Sequence, residues 1–524
     1  MKNNPGICNK CTERVPAEFL TRDGQIWLVK DCPTCGKTES LVSTDAAAWQ
    51  HKRDMWEYVP KDKTACSLKC DKCKVDHKPG MVFLDVTNRC NMNCPICIAT
   101  IKGMGFEFNP PLEYFDKIFA EISTWNPMPM VVLFGGEPTV RDDLIDIIKL
   151  GRKYGLRPRV VTNGLKLADE AYCKKLCESG IRMRFGFDGR NADIYEKLRH
   201  NRGAYALKMK AIENLKKYST RRHAIIACAA YGFNDQYIGD MLQFVHENND
   251  LFSEVGIIPL TENWKEGAFQ AGTHTTSEDV EKMVKQNVVG GDVEFVPAGL
   301  SYMMRKPRAF FRKNPRSETL LLAGVHPNCE SLALLYSDGT CYRSINHFLK
   351  KPLSVAAVEA AALCKKIEPA LDKLDPKKFF QRMRGRWLVY RTFVPWALRT
   401  LRLYRMAGPK PVRGLFKLIG NQIARMFTTQ DPWDKRRPKR LLRVAVLPFE
   451  EVHSVDGARM EHCKAVFAYE DVADTGKIKS IQACMWYPYR NALLEKISEK
   501  YGIVGRSGCY KVEPAGEPVA SAKA

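Results

Sequence analysis

From residue 81 onward the chain alternates between two hydrophobic periods. MVFLDVT (81–87), MVVLFGG (130–136), PRVVTNG (158–164), MRFGFDG (183–189), HAIIACAAYG (223–232) and EVGIIPL (254–260) are short apolar runs rich in β-branched and aromatic residues. Most are closed by turn residues, so each predicts a strand. Between them, residues 112–123, 142–154, 169–178, 205–218 and 235–247 carry apolar side chains at helical spacing. Six such repeats predict an α/β fold with a parallel sheet and helices outside, open or closed as a barrel, with ligands at the carboxyl ends of the strands. Six segments follow from this pattern. Residues 1–60 read as short strands around paired cysteines, 61–80 as a second cysteine cluster, and 81–265 as the repeating βα unit. Residues 266–375 are mixed, 376–445 form a basic, aromatic insertion, and 446–524 form a C-terminal region.

Charge sharpens the view of the insertion. Of the net +23 of this 524-residue chain, +17 lies between Lys377 and Arg443, where nineteen Lys or Arg meet only Asp431 and Asp434. The rest is a near-neutral body. Phe380, Met383, Trp387, Tyr390, Val394, Ala397, Leu401 and Tyr404 follow steps of three and four, predicting an apolar helical stripe kinked at Pro395. Such a helix suits a bilayer interface with anionic head groups; a solvated basic face and nucleic-acid binding are the alternatives. No run of 18 apolar residues occurs and the first residues lack the apolar core of a secretory signal, so the expected location is cytoplasmic, at most peripheral on the inner face of the membrane.

Nineteen cysteines in such a location favour metal or iron-sulfur ligation over disulfides. Directly after the first strand stands Cys90-Asn-Met-Asn-Cys94-Pro-Ile-Cys97. Three thiolates on one loop can hold three corners of a [4Fe-4S] cubane and leave the fourth iron open, whereas zinc would want a fourth ligand nearby. Cys8, Cys11, Cys32 and Cys35 form two CxxC knuckles that suit a tetrahedral S4 site for zinc or a single rubredoxin-like iron. Cys173, Cys177 and Cys228 read as packing residues, and His223, His246, His274 and His462 as incidental.

The CxxxCxxC motif, followed at the end of the second strand by Gly135-Gly136-Glu137-Pro138, resembles the radical S-adenosylmethionine (SAM) superfamily. The resemblance implies a partial (β/α)6 TIM-like barrel in which Cys90, Cys94 and Cys97 hold the cluster that cleaves SAM to a 5'-deoxyadenosyl radical, which abstracts hydrogen from an unactivated carbon. It also implies SAM contacts from Gly135, Gly136, Glu137, Asn163 and Asp188, with Ile96 near the adenine.

Cys66, Cys70 and Cys73 repeat the cluster spacing, and with the CxxCG knuckle and late cysteines they resemble the class D group, which includes tetraether lipid synthase. That likeness runs over roughly residues 5–345 and 445–495. It implies an N-terminal rubredoxin- or zinc-ribbon-like domain, a C-terminal auxiliary iron-sulfur region and one or two auxiliary [4Fe-4S] clusters. Their candidate ligands are Cys66, Cys70, Cys73, Cys329, Cys463 and Cys484. Where relatives often place a further cysteine, this chain has His77-Lys-Pro-Gly-Met81, which leaves His77, a distant cysteine or an open iron as the completion of the Cys66 cluster.

The leading expectation is carbon-carbon coupling of lipid alkyl chains, with a lipid substrate, an anionic membrane surface and an electron donor such as ferredoxin or flavodoxin as partners. The alternative keeps the radical chemistry and directs it to methylation or another modification of a small metabolite such as a pterin, or of RNA. A zinc-ribbon nucleic-acid-binding protein is the remote alternative. It leaves the Cys90 loop unexplained, and nucleic acid is not expected as a partner.

Overall fold

A computed structural model describes residues 4–11, 13–56, 68, 79–99, 101, 103–260, 274–312, 323–407, 440–449, 453–474 and 476–503. Cys66, Cys70, Cys73 and His77 lie outside the described residues. At the N-terminus β1 (Asn4–Ile7), β2 (Arg14–Arg22), β3 (Gln25–Cys32) and β4 (Gly36–Ser43) form an antiparallel sheet in chain order. The helix Ala46–Met55, capped by the Asp45 carboxylate accepting from Ala48 N–H, follows it. This helix is fastened to the body by a buried ion triad, in which Lys52 Nζ donates to Glu278 (2.7 Å) and Glu281 (2.9 Å).

All six predicted strands form: β5 (Met81–Thr87), β6 (Met130–Gly135), β7 (Arg159–Thr162), β8 (Arg182–Gly186), β9 (His223–Ala229) and β10 (Phe252–Pro259), each parallel to the next. The alternation of side chains explains why. On β5, Val82, Leu84 and Val86 are fully buried in the main core, while Phe83 points to the other face and stacks on Phe467 at 5.2 Å. The five predicted helices are also present, and Ala192–Arg199 forms a further one, capped by Asn191.

The remaining strands are β11 (Val296–Pro297), β12 (Ser331–Ser337), β13 (Tyr342–Ser344), β14 (Leu441–Val446), β15 (Ala465–Asp471) and β16 (Lys477–Gln482). Two of them lengthen the parallel run to eight: β14 pairs with β10 and β15 with β5, both parallel. β12 and β16 continue the sheet antiparallel on either side. The end of the basic insertion thus belongs to the sheet, since Arg443 and Ala445 register against Glu254 and Gly256.

Within the insertion the helix Phe379–Thr400 runs on through Pro395 and stops at Thr400. The predicted stripe therefore breaks before Leu401 and Tyr404. No helix among the described residues is long and apolar enough to cross a membrane.

Candidate active site

The Cys90–Cys97 segment belongs to a loop that leaves β5 and returns to the sheet edge twenty residues later. Asn88 clamps both ends: its N–H donates to Phe108 O (2.9 Å), its Nδ2 to Phe106 O (2.7 Å), and its Oδ1 accepts from Phe108 N–H (2.8 Å). Inside this clamp the three cysteines are half-buried, and Cys97 N–H donates to Cys94 O. Their sulfurs are not all within 4.8 Å of one another, so they do not form a single-ion site. Three half-buried thiols on one loop suit a cubane several ångströms across. Burial, reinforced by the Glu137 carboxylate, pushes the Cys90 thiol well up, and burial also raises Cys94 against the pull of Arg199.

The glycines of the GGEP motif are required by a close approach of the chain to itself. A Cβ on Gly135, whose φ is +128°, would stand 2.4 Å from Thr87 O, and one on Gly136 would stand 2.1 Å from Arg89 O. They let the start of the cysteine loop lie directly on the end of β6, where Gly136 N–H donates to Thr87 O and Glu137 N–H to Arg89 O.

Glu137 is buried, and its Oε1 accepts from Thr139 N–H, Thr139 Oγ1 and Thr162 Oγ1 while Oε2 accepts from Asn163 N–H (2.6 Å). Burial raises this carboxyl against those donors. One oxygen is saturated and the other keeps accepting capacity. Asn163 in turn donates from Nδ2 to Asn91 Oδ1 (2.8 Å), which ties the end of β7 to the cysteine loop.

Asp188, one of the implied SAM contacts, is buried in a two-point ion pair with Arg199 (2.9 and 2.8 Å) and accepts from Cys228 N–H. Burial alone would raise this carboxyl, and the guanidinium reverses the shift to hold it low. The same Arg199 lies against Cys94. Beside it Lys208 is buried over the rings of Phe185 and Tyr195, donating to the carbonyls of Asn163 and Gly186, and burial brings its ammonium down to about 8. Two cations therefore meet the Cys94 edge of the loop, where a thiolate-ligated cluster concentrates negative charge.

The motifs read from the sequence include neither Arg199 nor Lys208. A lysine at a predicted buried helix position was the available signal. Ile96 packs with Ile194, Leu198 and Leu260, forming an apolar wall beyond the carboxyl ends of β9 and β10.

Among the late cysteines, Cys329 and Cys463 are brought together by Gly324, which bridges to Cys463 and whose Cβ would stand 2.4 Å from Cys329 Sγ. Cys484 opens the helix Ala483–Lys500, with Tyr487 one turn on lying within electrostatic reach of both Cys484 and Cys97. Cys173 and Cys177 are buried in the core.

At the N-terminus the Sγ atoms of Cys8, Cys11, Cys32 and Cys35 all lie within 4.8 Å of one another. Amides turn toward the sulfurs: Lys10 N–H donates to Cys8 and Cys35 N–H to Cys32. The Cys11 amide, with other amide and thiol donors, brings Cys8 down to about 6, whereas the Cys11 thiol helps push Cys35 up to about 12. Four such thiols cannot all ionise without a cation among them.

Residues 84–245 match the radical SAM superfamily model, and residues 3–44 match the HMPTM N-terminal zinc ribbon domain. The chain is 31% identical over 357 residues to the 7,8-dihydro-6-hydroxymethylpterin dimethyltransferase of Methanocaldococcus jannaschii, covering 64% of this chain and 68% of that one. Two proteins of Methanosarcina barkeri are similar over shorter stretches. The Fe-coproporphyrin III synthase is 31% identical over 26% of this chain and 34% of its own, and the AdoMet-dependent heme synthase 30% identical over 26% and 40%.

Barrel, cysteine loop and cationic flank together define an enzyme that uses a [4Fe-4S] cluster and SAM. The chain belongs to the radical SAM superfamily, and is of the same type as the methanogen dimethyltransferase. Such an enzyme needs a reductant and a substrate.

Proposed function

We propose that this chain is a radical SAM methyltransferase acting on a small planar heterocycle of the pterin class. The observation that carries the reading is the 31% identity over 357 residues to a pterin dimethyltransferase, beside the match of residues 3–44 to the HMPTM N-terminal zinc ribbon domain. The expectation of lipid alkyl coupling has no finding behind it, and the alternative weighed beside it is the better supported.

In this reading Cys90, Cys94 and Cys97 hold the cluster, which with bound SAM supplies the reductive cleavage that starts the radical chemistry. The chain's own residues do the positioning. Glu137 fixes Thr162 and Asn163 and offers its Oε2 to an ammonium group. Arg199, held straight by Asp188, and Lys208 present positive charge to a carboxylate at the Cys94 edge. Ile96 with Leu260 offers an apolar wall to adenine.

In this reading a flat substrate lies beside the aromatic cluster that packs on the Phe83 face of β5. Phe83, Phe134 and Trp486 surround Phe467 at 5.2 to 5.9 Å, and Phe449 meets Tyr487 beside them. The Tyr487 hydroxyl is buried with no partner among the described residues, leaving a donor for a heterocycle nitrogen or carbonyl. Cys329, Cys463 and Cys484 are proposed as auxiliary-cluster ligands, the N-terminal S4 site as a structural zinc ribbon, and a ferredoxin or flavodoxin as the electron donor.

The test is anaerobic turnover of the reconstituted chain with SAM, dithionite and either a 6-hydroxymethyl-dihydropterin or a membrane lipid extract, read by mass spectrometry. A methylated pterin is the expected product. Coupled alkyl chains without any methylated pterin would overturn the proposal.

A further inference from the structure

The helix Phe379–Thr400 has two unlike faces. Its inner face is pinned to the body: Gly385 sits against Phe310, whose ring a Cβ would meet at 2.2 Å, and Arg386 is buried with its Nε donating to Phe310 O (2.8 Å). Leu388, Val389 and Phe393 pack on Phe310, Ile367 and Leu371, and Trp396 Nε1 donates to Glu359 (3.1 Å). These contacts fix which residues look outward.

The outward residues are the unusual ones. Phe380, Trp387, Val394 and Leu398 are 84%, 53%, 46% and 54% exposed, at steps of seven, seven and four that hold them within one stripe of a 3.6-residue helix. Arg384 and Arg391 stand between them on the same stripe, both exposed, with the Arg391 guanidinium 5.2 Å from the Trp387 ring. A helix packed on a protein normally turns charged and polar residues outward, but here the outward stripe is aromatic, aliphatic and arginine. From Lys377 to Ala407 there are nine Lys or Arg and no Asp or Glu. At 22 residues the helix offers such a face about 33 Å long.

We propose that this outward face docks on the surface of an anionic lipid bilayer. The apolar stripe enters the interface, the arginines extend to lipid phosphates, and the aromatic rings sit at head-group depth. A second copy of the chain is disfavoured as the occupant, because a two-fold contact through this stripe would set arginine against arginine with no acid to balance it. Nucleic acid would use the charge and the rings, but Val394 and Leu398 offer nothing to base stacking. The inference stands apart from the choice of pterin, since it concerns where the enzyme works rather than what it modifies.

Co-sedimentation of the full chain with phosphatidylglycerol-containing vesicles and with pure phosphatidylcholine vesicles, over a salt series, tests it. Binding is expected on the anionic vesicles at low salt, weakening as salt rises. Arg384→Glu with Arg391→Glu is expected to cost at least about tenfold in partition, and Phe380→Ser with Trp387→Ser a similar factor that persists across the salt series. All four side chains are exposed, so SAM cleavage should be unchanged in both variants. No partition onto anionic vesicles at low salt would overturn the proposal. So would undiminished binding of the Phe380→Ser, Trp387→Ser variant, a gel shift of single-stranded RNA abolished by these substitutions without vesicle binding, or a dimer in light scattering that they dissolve.

Discussion

Asp85, in the middle of the first barrel strand, is gripped by Arg490, which lies 405 residues further along the chain. Arg490 Nη2 donates to Asp85 Oδ1 at 2.7 Å and its Nε reaches both carboxylate oxygens, while Trp486 Nε1 donates to Oδ2 at 2.7 Å. Both charged side chains are fully buried. Arg490 also donates from Nη1 to Ala99 O, two residues past Cys97. The C-terminal helix is thereby tied to the base and the far side of the cysteine loop.

Breaking that pair leaves one buried charge without its partner. Arg490→Met or Asp85→Asn is expected to cost about 3–5 kcal/mol, and the double variant less than the sum, in denaturant unfolding. Iron retention by the barrel should fall with the same ranking. Equal and additive losses would show that the pair is not coupled.

Gly136→Ala places a methyl where Arg89 O now stands. The cysteine loop must move off β6, so the variant is expected to lose most of the iron-sulfur absorption near roughly 400 nm that belongs to this site. Zinc at the N-terminal ribbon should be unaffected, as metal analysis would show.

Cys94→Ala is predicted to abolish reductive SAM cleavage with the N-terminal site still filled. Conversely, Cys8→Ser or prolonged chelation is expected to release about one zinc and open residues 4–44 to protease, because Cys8, Cys32 and Cys35 with Val15 form the apolar cluster at the metal end of that sheet. Proteolysis unchanged by metal removal would contradict a structural role.

Glu254 tests electrostatics at the opposite end of the strands. Burial alone would raise this carboxyl, yet Arg443 (2.8 Å), Arg182 (3.2 Å) and Arg184 (3.7 Å) hold it far below the usual carboxylate range. Its folded-state pKa is depressed, so its contribution is present above the ordinary value near about 4.3 and is lost as pH falls toward the depressed one. Glu254→Gln should therefore destabilise by about 3–5 kcal/mol at neutral pH, and the gap from the parent should narrow on acidification below about pH 4. A gap independent of pH would mean that the arginines are balanced elsewhere.

Much of the barrel was legible because each unit is local. β5 reads from its own alternation, and the Cys90 loop from its spacing directly after that strand. Asp85 was visible as a lone acid in an apolar run, but nothing near it named Arg490. Gly135 and Gly136 were legible as required glycines, though their neighbour is the chain's own backbone at Thr87 and Arg89. Asp188 follows β8 directly, and only the packing of the helix Ala192–Arg199 turned Arg199 back to claim it.

By itself the sequence determined the order of the six strands β5 to β10 and five of the helices between them, the two cysteine motifs whose members lie within a few dozen residues, and the cationic character of one segment. These follow from periodicity and spacing, which a linear chain carries in full. Only the tertiary structure decided that β14 and β15 extend the parallel run, that Arg199 and Lys208 flank Cys94, and which face of the Phe379–Thr400 helix meets solvent. Those depend on contacts across tens to hundreds of residues, where many pairings satisfy the same hydrophobic pattern and close packing selects one.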